Sequence, residues 1–120
     1  MSLGSKGERL AARFLKRLGY RIIARNYRCP AGEIDIVAQD DDTLVFTEVK
    51  SRRSDSAADP EVNVDRRKRE QIIRVARYYL LEKSAHDRPA RFDVLAVVIP
   101  QRGKPAIEHF IDAFSPDIRI

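Results

Sequence analysis

The sequence predicts an α/β fold: a single domain over residues 1–120, with a mixed sheet of about five strands flanked by helices. Three observations lead there. Two stretches, 5–18 and 65–83, place apolar residues at helical spacing. Five shorter stretches are rich in Ile, Val, Phe and Tyr, and several alternate apolar with polar positions. Their order along the chain is α-β-β-β-α-β-β, which builds one layered sheet rather than a bundle or a sandwich. A chain of 120 residues is ordinary for one domain and buries about 65% of its unfolded surface, enough for a real core.

The first helix is expected from Ser5 to Leu18. Leu10, Ala11, Phe14, Leu15 and Leu18 share a stripe, and Gly19 follows where a helix C-terminus favours glycine. Ser5 and Glu8 match a capping box, with Ser5 as N-cap and Glu8 at the third helical position. Glu8 also lies on the side that carries Ala11, Ala12 and Leu15, so it can also face the sheet near the other acids; the two readings can hold together.

Tyr20–Tyr27 reads as a strand, and Cys29-Pro30-Ala31-Gly32 as a turn into a second strand, Gly32–Val37. A third strand is expected over Leu44–Lys50, with both faces of Leu44-Val45-Phe46 apolar as in a central strand. Ser51–Val64 lacks apolar periodicity and reads as a long loop beside that strand's end, placed to act as a flap. Asp65 caps a second helix that runs to about Lys83 and buries Ile72, Ile73, Ala76, Tyr79 and Leu80. Arg91–Ile99 and Ala106–Phe114 complete the sheet, joined by a turn containing Gly103. His109 alternates with Ile107 and Ile111, which predicts a packed or edge histidine rather than a ligand.

The composition excludes several classes. Hydrophobic content of 43% against 34% charged residues describes a soluble, highly charged protein, and no apolar run approaches the ~20 residues of a membrane span. Leu10–Leu18 is broken by Arg13, Lys16 and Arg17, so no secretory signal is expected. Cys29 is the sole cysteine, which rules out a disulfide framework or a cysteine-rich zinc site and fits a reducing cytoplasm. The net charge is +5, unevenly placed. Residues 1–28 hold eight Lys/Arg and one Glu; residues 29–48 hold six Asp/Glu and no Lys/Arg; residues 50–77 hold nine Lys/Arg and five Asp/Glu. An acidic centre between basic flanks suits an anionic polymer brought to a metal ion.

That acidic centre is Gly32-Glu33-Ile34-Asp35-Ile36-Val37 followed by Phe46-Thr47-Glu48-Val49-Lys50. Along a strand, residues i and i+2 share a side. Glu33 and Asp35 are therefore expected on one side of their strand, and Glu48 and Lys50 on one side of the next. Pairing the two strands through a turn at Asp40-Asp41-Asp42 would bring Asp35, Glu48 and Lys50 together. Converging carboxylates repel unless a cation joins them or one is protonated. Hard oxygen donors beside a lysine point to Mg²⁺ and phosphate chemistry.

Asp35, then twelve residues, then Glu48-Val49-Lys50 resembles the PD-(D/E)xK signature of restriction-endonuclease-like nucleases. The wider set Gly7-Glu8, Arg25-Asn26-Tyr27-Arg28, Gly32-Glu33-Ile34-Asp35, Glu48-Val49-Lys50, Arg91-Phe92-Asp93-Val94 and Ala113-Phe114 resembles the YraN-like family of predicted endonucleases over nearly the whole chain. The arrangement of Glu8, Asp35, Glu48 and Lys50 is also similar to archaeal Holliday-junction resolvases. The resemblance implies a restriction-endonuclease-like fold and a nuclease centre using Mg²⁺ or Mn²⁺. It implies metal ligation by Asp35 and Glu48, with Glu8 and Glu33 completing the acidic set and Lys50 beside the attacking water. Two departures stand out: Thr47 occupies a commonly apolar position, and the segment after Arg53 lacks an expected Phe-Gly pair.

These readings predict a metal-dependent nuclease that hydrolyses phosphodiester bonds of DNA, branched or structured DNA included. Arg52, Arg53, Arg66, Arg67 and Arg69 are the candidate nucleic-acid contacts. The alternative is a non-catalytic nucleic-acid-binding module that keeps the nuclease fold, and a third reading is a scaffold for protein partners. Nucleic acid is the expected partner and a membrane is not; a homodimer stays open.

Overall fold

A computed structural model describes residues 2–55 and 64–116. The elements follow the predicted order: α1 (Leu3–Arg17), β1 (Arg21–Cys29), β2 (Gly32–Asp40), β3 (Thr43–Arg53), α2 (Arg66–Glu82), β4 (Ala90–Ile99) and β5 (Ala106–Phe114). One five-stranded sheet is ordered β1-β2-β3-β4-β5. The first three strands form an antiparallel meander, β4 returns parallel to β3 after α2, and β5 closes the sheet antiparallel to β4. The mixed sheet with flanking helices is thus as the sequence predicts.

Both turns of the meander leave two residues outside the ladder. Cys29 pairs with Gly32 and Asp40 with Thr43. Gly32 has φ +140°, beyond the reach of L side chains, and a Cβ there would also meet the Gln71 amide at 2.6 Å.

The sheet separates two cores. Ala11, Ala12 and Leu15 of α1 pack on Ile36, Ala38, Val45, Leu95 and Val97. Ile72, Val75, Ala76 and Tyr79 of α2 pack on Ile34, Val37, Leu44, Phe46, Phe92 and Val94. Alternation along Leu44-Val45-Phe46 sends neighbours to opposite cores, which is why this central strand is apolar throughout.

Several expectations need correction. Ser2, not Ser5, caps α1: its side chain accepts from the Ser5 amide at 3.1 Å. Glu8 therefore sits a turn inside the helix and plays no capping part. The buried side of α1 runs through Gly7, Ala11, Ala12 and Leu15, the side that carries Glu8. Leu18 lies at the C-cap and is 52% exposed. Its exit is a Schellman turn, with Tyr20 N–H on the Leu15 carbonyl, Gly19 N–H on that of Lys16, and Gly19 at φ +95°. Ser51–Arg53 is not loop but the end of β3, paired with Val97–Ile99. Of the rest of the proposed flap, Val64 is buried in the α2-side core and 56–63 lie outside the described residues.

A buried polar network sits on the α1 side. Asp93, fully buried, accepts from Arg91 Nε at 3.0 Å, contacts His109 Nε2 at 2.7 Å and accepts the Asp112 amide at 3.0 Å. Arg91 extends to Asp40 and to the Tyr20 hydroxyl. Asp112 adopts φ 53° within an irregular stretch of the β4–β5 ladder, which turns its N–H inward. His109 is packed as predicted, edge-on to the rings of Phe14 and Tyr20.

Candidate active site

The site lies where β2 and β3 part. Their ladder runs from Asp40↔Thr43 to Ile36↔Thr47 and stops. Beyond it, β2 stays only with β1, through Tyr27↔Ile34 and Arg28↔Glu33, while β3 stays only with β4, through Glu48↔Val94 onward. Asp35 and Glu48 are the first residues past the fork. Asp35 Oδ2 accepts the Val49 amide at 2.7 Å, supplying the partner that the ended ladder withholds.

The side-chain alternation of β2 also breaks here. Ile34 and Val37, three apart, enter the same core, whereas Ile36 and Ala38 enter the other. On β1, Asn26 takes φ 53° between the pairs Arg25↔Ile36 and Tyr27↔Ile34. The i, i+2 rule therefore does not carry from Glu33 to Asp35. Glu33 is exposed and engages Arg28 at 3.1 Å, and it reaches the centre only as a distant charge that disfavours ionised Glu48.

Glu8 arrives from the α1 side. The helix crosses β3 so closely that a Cβ on Gly7 would lie 1.7 Å from Ser51 Oγ, so only glycine admits this approach. The Asn26 amide, with its nitrogen toward Glu8, donates to both carboxylate oxygens at 3.1 Å. Glu8 also lies against Asp35, close enough for the two carboxylates to share a proton.

All three carboxyls are pushed above their usual range. For Glu8 the causes are burial, then the hydrogen bond to Asp35 and the repulsion from it. For Asp35 they are burial and the Glu48 charge, opposed by the Val49 amide. For Glu48 burial dominates, opposed first by Lys68 and then by Lys50. Acids crowded this way favour holding a proton or gaining a cation.

Lys50 shares the Glu48 side of β3 and acts on it through space. Arg52 continues that side, while Arg53 falls on the opposite side with Ser51. Arg66, Arg67 and Arg69 are exposed on the first turns of α2. Between them comes Lys68, whose Nζ lies 3.8 Å from Glu48 Oε1. Sequence reasoning missed Lys68 and Asn26. The only trace of the first was its place three residues after the cap Asp65; that of the second was its place in Arg25-Asn26-Tyr27-Arg28.

Among the described residues, no three His, Cys, Asp or Glu side chains converge on one metal position. Of the four acids expected as ligands, Asp35 and Glu48 act directly on one another, Glu8 lies against Asp35, and Glu33 is turned to Arg28. Two carboxylates with too little positive charge between them still fit a hard divalent ion, because Mg²⁺ commonly takes one or two carboxylates and completes its shell with water and substrate oxygens. No helix among the described residues is long and apolar enough to cross a membrane.

Residues 7–97 match the model of the family described as "Uncharacterised protein family UPF0102". The UPF0102 protein of Geobacter sulfurreducens is 50% identical over 112 residues, covering 93% of this chain and 88% of that relative. Those of Geotalea uraniireducens and Syntrophus aciditrophicus are 45% and 48% identical, over 94% and 92% of this chain and 89% and 87% of theirs. The chain therefore belongs to the UPF0102 family, the YraN-like proteins that its motifs resemble.

Proposed function

We propose that this protein is a metal-dependent nuclease that hydrolyses phosphodiester bonds of structured DNA. The observation that carries the reading is the strand fork, which sets half-buried Asp35 beside buried Glu48, with Lys50 on the Glu48 side of β3. The resemblance to restriction-endonuclease-like nucleases and archaeal Holliday-junction resolvases rests on the same residues.

Asp35 and Glu48 would hold the ion, Asp35 with its carboxylate fixed by the Val49 amide. When bound, Mg²⁺ or Mn²⁺ supplies a lowered pKa for an attacking water and a positive charge beside the scissile phosphate. Lys50 orients that water or offsets the charge that grows on the phosphoryl oxygens. Glu8 stands behind Asp35 and, held by Asn26, limits its movement. The exposed arginines of α2 draw the phosphate backbone toward the fork.

Calorimetric titration with Mn²⁺, beside cleavage assays on branched, flapped and single-stranded DNA, tests this. Saturable uptake and cleavage abolished by a chelator are expected. A second reading, a binding module that keeps the fold without catalysis, is favoured by the lack of a converging third ligand among the described residues and by Lys68 resting on Glu48. DNA binding with neither metal uptake nor cleavage would select it.

A further inference from the structure

Lys68 stands against the proposed metal pair, and its role here rests on the nuclease reading above. Glu48 is buried, its side chain 11% exposed, and among the described residues the cation within 4 Å of it comes from α2 rather than from β3. The main chain of Lys68 is fixed: its N–H donates to Asp65 Oδ1 at 2.8 Å in the cap of α2. Its side chain is 34% exposed, and the 3.8 Å to Glu48 Oε1 exceeds the reach of a charge-assisted hydrogen bond. A rigid base, a flexible four-carbon stem and a loose contact describe a cation that can leave Glu48 at little cost.

A divalent ion at Asp35 and Glu48 would feel Lys68 as a like charge. It would also take over the neutralisation of Glu48 that Lys68 now provides. The freed ammonium would stay near the start of α2, which also carries the exposed Arg66, Arg67 and Arg69.

We propose that Lys68 is an exchangeable counter-ion, holding Glu48 until a divalent metal displaces it and then contacting the phosphate of the bound DNA. One residue would thereby link metal uptake to substrate capture. Neither half requires any group to titrate.

The test uses the full chain and two readouts besides cleavage. In Mn²⁺ calorimetry without DNA, Lys68→Gln should bind the ion about tenfold more tightly, because a competing charge a few ångströms away has gone. Lys68→Arg should resemble wild type. Binding of a branched DNA in Ca²⁺, used as a non-hydrolysing ion, should weaken severalfold in Lys68→Gln. That weakening should exceed the one in Arg74→Gln, an exposed charge farther along the same helix. Lys68→Ala serves if the glutamine variant folds poorly, with thermal melts verifying each protein. If wild type takes up no Mn²⁺, the nuclease reading falls and this proposal with it. If wild type binds Mn²⁺ and Lys68→Gln binds it equally or more weakly, the proposal is overturned and the nuclease reading stands. Tighter Mn²⁺ with unchanged DNA affinity also overturns it, since Lys68 would then never reach a phosphate.

Discussion

The Val49 amide donates to Asp35 Oδ2 at 2.7 Å across a gap where β2 and β3 no longer pair. That bond fixes the rotation of a carboxylate otherwise exposed to two neighbouring acids. A carboxylate offers about four lone-pair sites, so Asp35 keeps capacity to accept from a cation or a shared proton. The fork thus creates both the unpaired amide and the opening for the group that meets it.

Asp35→Asn keeps the acceptor for Val49 and removes the charge. Metal affinity should drop and cleavage should fall by at least ~10²-fold, since several kcal/mol of metal contribution are at stake. DNA binding should persist, because the proposed phosphate contacts come from arginines away from Asp35. A mutant that cleaves like wild type would place any activity elsewhere.

Acid should relieve the fork in metal-free protein. Glu8, Asp35 and Glu48 are all raised above their ordinary values of 4.5, 3.8 and 4.5, so the folded state takes up protons more readily than the unfolded chain. The penalty of their charge is present above the raised values and fades as pH falls toward 3.8–4.5. Denaturation from pH 7 downward should therefore show a smaller gain from added Mn²⁺ as pH drops. A gain that grows with acid would contradict this.

Asp93 should behave in the opposite sense. Burial alone would raise it, but His109, Arg91 and the Asp112 amide together hold it below 3.8. Its stabilisation is complete above 3.8 and is lost as pH falls through the lower folded value. Asp93→Asn should cost about 3 kcal/mol at neutral pH by urea denaturation, because Arg91 loses its buried partner. The gap between mutant and wild type should narrow in strong acid.

Thr47 is fully buried, and its hydroxyl has no partner among the described residues. Its side chain lies on the face opposite Glu48, as its place in β3 predicts. Thr47→Val preserves shape and removes the unsatisfied group, so stability should rise by about 1 kcal/mol with metal uptake unchanged. A lower melting temperature would reveal a hydrogen bond at that hydroxyl.

Charge reversal at Arg66, Arg67 and Arg69 should weaken DNA binding alike across sequences. It should also flatten the salt dependence by about one unit of slope for each phosphate that is no longer neutralised. Affinity of wild type indifferent to ionic strength would remove these residues from the interface.

Local pattern carried much of this protein. The bounds of α2 follow from Asp65 as N-cap and the run Ile72, Ile73, Ala76, Tyr79, and β5 follows from alternation over Ala106–Phe114. Glu48 and Lys50 on one side of β3 follow from period two. Such features depend on neighbours in the chain. Tertiary structure decided the rest. The parting of β2 and β3 is a property of two ladders, and nothing within Glu33-Ile34-Asp35 announces the break in alternation that sends Glu33 to Arg28. Glu8 had two readings in the sequence, capping or facing the sheet; the packing of Gly7 on Ser51 selected the second. Lys68 reads as one more basic residue of a solvated helix. Only the docking of α2 over β3 sets its charge against Glu48, because electrostatic partnership depends on distance in space, which a strand and a helix separated along the chain do not encode locally.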